Sequence, residues 1–257
     1  MTISLVASTL EGIPEVREGD DLAAFIHSGL RAPHGGEYPC TDHDVLVIAH
    51  KIVSKAEGRV RSLADVEPTP RAIELAAEQG KDPRHVQVVL DESEQVLRAS
   101  HGVLICLTRH GFVCANAGVD ASNAPAPDTL VLLPVDPDAS ARRIRAALRD
   151  RIGVSPAIVI TDSFGRAWRH GQCDVAIGCA GISPLEDWRG RADAVGRELR
   201  ATWIAIADQL AAMADLARRK DAAEPVVLIH GTGRHVTEDD GPGAAAMIRP
   251  EAEDLFR

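Results

Sequence analysis

The chain has 257 residues, enough to bury a substantial core as one large domain or two smaller ones. Hydrophobic residues make up 45% and charged residues 26%, the balance of a globular rather than a disordered protein. A formal net charge of -10 argues against an extended nucleic-acid surface, which draws its affinity from clustered Lys and Arg, and no apolar run is long enough to span a bilayer.

Aromatic residues are only 3%, so the core is built from Val, Leu, Ile and Ala. Five cysteines (Cys40, Cys106, Cys114, Cys173 and Cys179) form no CxxC pair and no zinc-like pattern with His, which suits reduced thiols. The N-terminus lacks a basic leader, and its apolar run is too short for a signal peptide. Cytoplasmic residence is the expectation.

In chain order, "ISLVA" from Ile3 predicts a strand and "DDLAAFIHSGL" from Asp20 a helix. "DVLVIAH" from Asp44 is a strand, "PTPRAIELAAEQG" from Pro68 a helix, and "HVQVVL" from His85, rich in Val, a further strand. "GVLICLTRHGFVCA" from Gly102 predicts a hairpin turning at Arg109 to Gly111, and "TLVLLP" from Thr129 a strand. A helix over "SARRIRAALRDRIG" from Ser140 precedes the strand "AIVIT" from Ala157. Leu199, Trp203, Ile206, Leu210 and Met213 recur at spacings of three and four, which predicts a long core-facing helix from about Asp193 to Lys220. "PVVLIHG" from Pro225 is the last strand. Strands both in hairpins and separated by helices fit an α+β architecture, a mixed sheet with flanking helices, better than a regular parallel sheet. The expected organisation is a single domain over residues 1–257, with a split into two subdomains near residues 60–85 as the alternative.

No GxxxxGK[ST] motif exists, and "GPGAAA" from Gly241 follows an acidic, turn-like segment rather than a strand, so it reads as a plain loop. Charged loops are more informative. "AIVITDS" delivers Asp162 and Ser163 at the end of a buried strand, an oxygen pair suited to a hard divalent cation, although on this motif alone a turn cap is the commoner role. "ANAGVDASN" places Asp120 and Asn123 in a second loop after an apolar hairpin. Two such carboxylates could converge on a metal. "IAHKIVSKAEGR" sets His50, Lys51, Lys55 and Arg59 just after a strand, and Lys51 and Lys55 share a face if the segment is helical, as an anion site or as a solvated basic face. "FGRAWRHGQ" concentrates Arg166, Arg169 and His170 after Asp162, in the manner of a polyphosphate clamp.

Taken together, "KIVSKAEGR", "ANAGVDASN", the block from Thr161 to Leu199 and the closing "IRPEAEDLF" resemble the coenzyme F420:L-glutamate ligase family, the γ-glutamyl ligases, through almost the whole chain. The resemblance implies a fold unlike both the P-loop and the ATP-grasp ligases. It implies a GTP-dependent amide-forming enzyme that joins L-glutamate to the carboxylate of the coenzyme F420 precursor through an acyl phosphate, adding one or more γ-linked glutamates and releasing GDP and phosphate. It further implies a homodimer with two divalent ions, Mg2+ or Mn2+, and K+. By motif, Asp120 and Asp162 match metal ligands, which would make them the catalytic pair, and Ser163 matches a further metal ligand. Asn123, His50, Lys51 and Lys55 match GTP-contacting positions, as do Pro14, Glu15, Val16 and Arg17. Where relatives have an "MG" loop before the last strand, this chain has "LARRKDAAEP", so Lys220 or Asp221 takes the corresponding place. No nitroreductase-like domain is expected after "EDLFR". The alternatives are an amide ligase for another carboxylate and a non-catalytic dimeric paralogue.

Overall fold

The computed structural model describes residues 4–31 and 39–255. In chain order the strands and helices are β1 (Val6–Thr9), α1 (Leu22–Leu30), β2 (Val45–Ala49), α2 (His50–Ala56), β3 (Val60–Ser62), α3 (Pro70–Gln79) and α4 (Pro83–Asp91). There follow β4 (Ser93–Ser100), β5 (Val103–Thr108), β6 (Val113–Ala115), β7 (Thr129–Val131), α5 (Pro137–Ile152), β8 (Ala157–Arg166) and β9 (Arg169–Ala180). The chain continues through β10 (Leu185–Asp187), β11 (Trp203–Ala205), α6 (Ile206–Ala217) and β12 (Val226–His230). The architecture is α+β, with mixed strand pairing and flanking helices, as the sequence predicts.

The central sheet has the order β1-β12-β2-β8-β9. Its one parallel pair is β2 with β8, and the other three pairs are antiparallel. Both faces are covered, which explains why β2, β8 and β12 read as unbroken apolar runs rather than alternating ones. Leu46, Ile48, Ile158 and Ile160 pack against Ile26 of α1 and Ile144 and Leu148 of α5. On the other face Val45, Val47, Ala157 and Val159 meet Ile206, Leu210 and Ala214 of α6. A third cluster joins α3 and α4 to β5 and β7 and is drawn from residues between Leu63 and Leu132.

Capping decides several boundaries. Asp21 caps α1 through Ala24 N, Thr69 caps α3 through Ala72 N with Pro70 in the first turn, and Gly80 closes α3 at φ 66°. Asp136 caps α5 through Ala139 N, so that helix begins at Pro137, three residues before the segment expected from Ser140.

Four sequence expectations are corrected. "HVQVVL" lies in helix α4, not in a strand: Asp82 accepts from Arg84 N as the cap, Pro83 opens the helix, and Val86 and Val89, three apart, face the core. The capping outweighs the β propensity of three valines. The helix expected from about Asp193 spans only Ile206–Ala217. Leu199 and Trp203 belong instead to an extended arm in which β11 pairs with β10, and Trp203 is exposed under the Arg189 guanidinium. The strand at "AIVIT" continues to Arg166 and forms a long hairpin with β9, a strand not anticipated. At the N-terminus the first strand begins at Val6; Ile3 lies outside the described residues. The turn at Arg109 to Gly111 is found as expected, closed by Gly111 N donating to Thr108 O at 2.9 Å.

Among the described residues no helix is long and apolar enough to cross a membrane. The cysteines are all free.

Candidate active site

The site starts where β2 ends. Its parallel pairing with β8 stops at Ala49 opposite Thr161, and the chain turns directly into α2. Beyond Thr161, β8 runs on with β9 along one edge and without β2 along the other. The C-terminal ends of two adjacent parallel strands therefore frame a notch, the usual place for ligands in such sheets.

Consecutive residues at the start of α2 reach the two carboxylates singled out in the sequence. His50 is buried, with Nδ1 3.2 Å from Ser54 Oγ and Nε2 3.3 Å from Asp162 Oδ1, the latter without hydrogen-bond alignment. Lys51 donates to Asp120 Oδ2 at 2.6 Å, to Ser122 Oγ at 2.6 Å and to Ser122 O at 3.1 Å. Thus two adjacent residues of α2 each meet one of the carboxylates, His50 meeting Asp162 and Lys51 meeting Asp120. Asp162 is also close enough to Cys114 that, after burial itself, its charge helps push that thiol up to about 12.

The loop carrying Asp120 is shaped by backbone conformation. Asn116, Ala117 and Gly118 are all left-handed, and a Cβ on Gly118 would lie 2.7 Å from the Leu133 side chain. Asp120 then bridges to Val131 of β7, N to O at 3.0 Å and O to N at 2.8 Å. Burial opposes ionisation of the Asp120 carboxyl, but hydrogen bonds from Lys51 and from Ser122 outweigh it and hold the group below the usual carboxylate range. Asn123, at the exposed tip of this loop, is left-handed as well.

Helix α2 confirms that Lys51 and Lys55 lie one turn apart, but each already faces a carboxylate. Lys55, buried, donates to Glu15 Oε1 at 2.5 Å. Glu15 belongs to the segment Pro14–Arg17, in which Val16 is buried in the core while Pro14, Glu15 and Arg17 are exposed and Arg17 N donates to Asp20 Oδ2 at 2.7 Å. The structure therefore brings this segment to Lys55. Arg59 turns away to Glu92 and Leu133 O. Arg166, Arg169 and His170 do not form a clamp beside Asp162: they sit at the tip of the β8–β9 hairpin, four residues or about 13 Å along the strand, where Arg166 binds the carbonyls of His170 and Gly171.

Strand alternation places Asp162 and Ser163 on opposite faces of β8, with Asp162 toward α2 and Ser163 toward α6. On that second face lies a group of residues that the sequence reading missed. Ser163 Oγ donates to Asp174 Oδ1 at 2.6 Å, and Thr161 Oγ1 donates to Asp174 Oδ2 at 3.0 Å. Lys220 Nζ is 3.0 Å from Ser163 Oγ and 2.8 Å from Asp215 Oδ1, and Arg218 NH1 is 3.4 Å from Asp174 Oδ2. Burial lowers the pKa of Lys220, yet the Asp215 hydrogen bond and the charges of Asp174 and Asp215 outweigh it, and the ammonium is held above its ordinary value. Of the two residues at the divergent loop, Lys220 reaches the site and Asp221 does not, meeting only Arg219 Nε at 3.4 Å. One signal for Asp174 was present in the sequence: a lone carboxylate inside the apolar run "CDVAIGCA" needs buried partners.

The donors are hard oxygens on two faces of β8: Asp162, with Asp120, on the α2 side, and the Ser163 hydroxyl on the α6 side, where it meets Asp174 and Lys220. Both contacts of Asp162 fall on Oδ1, which leaves Oδ2 for a cation. Among the described residues no three His, Cys, Asp or Glu side chains form a ready cage. Mg2+ and Mn2+ take hard oxygen donors of this kind, one or two carboxylates at a time with phosphate and water completing the shell. By contrast, the "GPGAAA" loop spends its backbone donors on the protein: Ala244 N and Ala245 N both donate to the buried carboxylate of Asp138.

The α+β fold gathers His50, Lys51, Asp120 and Asp162 where β2 ends beside β8, a cluster of charged side chains at one end of the sheet. Residues 12–231 match the profile of the family described as F420-0:Gamma-glutamyl ligase. The chain is 44% identical over 259 residues to a coenzyme F420:L-glutamate ligase of Methanothermobacter thermautotrophicus, covering 100% of both chains. It is also 44% identical to the enzyme of that name from Methanopyrus kandleri, covering 96% of this chain and 97% of the relative, and 43% identical to that of Methanocaldococcus jannaschii, covering 86% and 87%. The chain belongs to the F420-0:gamma-glutamyl ligase family.

Proposed function

We propose that the protein is a coenzyme F420:L-glutamate ligase that uses GTP to form an amide between L-glutamate and the carboxylate of the coenzyme precursor. The observation that supports this most is the pair His50 and Lys51, consecutive residues that reach Asp162 and Asp120 at the notch of a chain belonging to this family. A carboxylate does not condense with an amine at neutral pH. The precursor carboxylate oxygen attacks the γ-phosphorus, the bond to GDP breaks, and an acyl phosphate forms. The glutamate nitrogen then attacks the acyl carbon, loses a proton to solvent or to a nearby base, and phosphate leaves with its bonding pair. One or more γ-linked glutamates are added in this way.

No nucleophilic side chain is needed, and the protein's work is positioning and charge neutralisation. Asp120, Asp162 and Ser163 would hold two divalent ions, Mg2+ or Mn2+, which when bound offset the charge on the phosphoryl oxygens. Lys51 fixes Asp120 in place, and His50 backs Asp162 from the buried side. Lys55, with Pro14, Glu15 and Arg17 beside it, would face the nucleotide, Val16 anchoring that segment in the core, and Asn123 would reach it from the Asp120 loop. Glu15 pairs with the Lys55 ammonium, and a phosphate bound there would compete with it. The proposal also includes K+ as an activating ion, a homodimeric assembly and cytoplasmic residence.

Incubation of the purified protein with coenzyme precursor, GTP, L-glutamate and Mn2+, followed by mass spectrometry, tests this directly. A product heavier by one or more glutamate residues, matched by GDP, is expected. GDP without that product would shift the assignment to another acceptor, and neither product would leave a non-catalytic paralogue.

A further inference from the structure

Asp174 is almost fully buried in β9, opposite Ser163 in the ladder, and ties together three segments. It accepts the hydroxyls of Ser163 and Thr161, which flank Asp162, and faces Arg218 and Lys220 just beyond α6. Removing a carboxylate from water is costly, and a packed apolar side chain would serve the fold at lower cost. Its hydrogen bonds point to a different use. A serine hydroxyl carries one proton and two lone pairs. With the Ser163 proton committed to Asp174 at 2.6 Å, the oxygen is left as an acceptor, one lone pair taking the Lys220 ammonium at 3.0 Å and the other free.

We propose that Asp174 is a positioning residue for the ligase reaction: it fixes the Ser163 hydroxyl as an acceptor on the α6 face of β8, next to Asp162 in the chain, and keeps the Lys220 ammonium beside it. Asp174 touches neither substrate nor ion. It acts through Ser163, and this assignment rests on the ligase reading of the notch. In its absence the hydroxyl rotates, and its proton faces any cation that approaches.

The test is a double-mutant cycle with Asp174→Asn, which keeps the shape and one acceptor oxygen, and Ser163→Ala. Mn2+ affinity is measured by the paramagnetic resonance of the free ion, with and without GDP, alongside kcat and KM for glutamate addition. Asp174→Asn is expected to weaken Mn2+ binding and lower kcat by roughly 10-fold or more, the usual cost of losing a residue that orients a ligand. In the Ser163→Ala background the same change is expected to cost less than about 2-fold, because coupled residues are not additive. An equal cost in both backgrounds marks Asp174 as merely structural and overturns the proposal. So does a wild type that binds Mn2+ no better than Ser163→Ala. If Asp174→Asn does not fold, Asp174→Glu keeps the charge facing Arg218 and Lys220 but displaces the acceptor, and the same cycle decides. Failure of the wild type to form any amide product would instead remove the ligase reading, while the Mn2+ cycle still decides the role of Asp174.

Discussion

Lys51 and Asp120, 69 positions apart in sequence, are joined by a 2.6 Å ion pair that ties the left-handed loop after β6 to the start of α2. Because the Asp120 carboxyl is held below its usual range, the pairing stabilises the fold above the unfolded carboxyl pKa of about 3.9 and ceases to do so as pH falls through the lower folded value. Lys51→Met is therefore expected to lower the thermal midpoint near neutral pH and to converge with wild type only as pH falls through the depressed folded pKa of Asp120. Both side chains are partly exposed, so solvent screening limits the loss to about 1 kcal/mol. Thermal unfolding across pH checks this; a gap that persists unchanged at pH 2 would show that the pair is not its source.

Asp162→Asn is expected to abolish turnover while leaving the fold intact. The side chain is only 16% exposed, but it makes no contact on Oδ2 that the fold uses, and the amide keeps an acceptor for Ser163 N. Circular dichroism together with the product assay separates the two effects. Retained activity would remove Asp162 from the catalytic pair.

Lys55→Ala is expected to weaken GTP binding by roughly 10-fold, the scale of one lost charge-assisted contact. Its partner Glu15 is 64% exposed, so no charge is stranded in the core and stability changes little. Calorimetric titration with GTP is the measurement, and an unaltered affinity would detach Lys55 from the nucleotide site.

Gly118→Ala is expected to destabilise by about 1–3 kcal/mol and to displace the loop that carries Asp120. Its φ of 72° already disfavours a side chain, and the new Cβ would meet Leu133 at 2.7 Å. Gly12→Ala is the control, since it shares a positive φ but opens onto free space. Equal midpoints for the two variants would mean that the close approach carries no weight.

Strands β2, β8 and β12 of the central sheet were legible because they are buried on both faces and bounded by turn residues, and the Arg109 to Gly111 hairpin because its turn is local; β9 was not, its first half being exposed and polar. Helix α4 was misread because three valines within "HVQVVL" outweighed Asp82 and Pro83, although that cap and first-turn pair mark a helix start. Trp203 fell on the helical period of α6 by coincidence, and only pairing with β10 shows it to be extended. Asp120 and Asp162 could be nominated from loop position and family resemblance. His50 and Lys51 could be nominated too, but not their pairing with Asp162 and Asp120, because that relation depends on β2 ending beside β8. Asp174, Asp215 and Arg218 were missed for the same reason: each is one charged residue in an ordinary strand or helix until β9 and α6 bring them to Ser163 and Thr161.

The most direct test of the notch as the metal and nucleotide site is a crystal of the protein grown with GDP and Mn2+, with manganese located by its anomalous scattering. The account predicts manganese in direct coordination with both Asp120 and Asp162, with the phosphates alongside Lys55. Manganese at neither carboxylate, or phosphates bound at a separate surface, would contradict it.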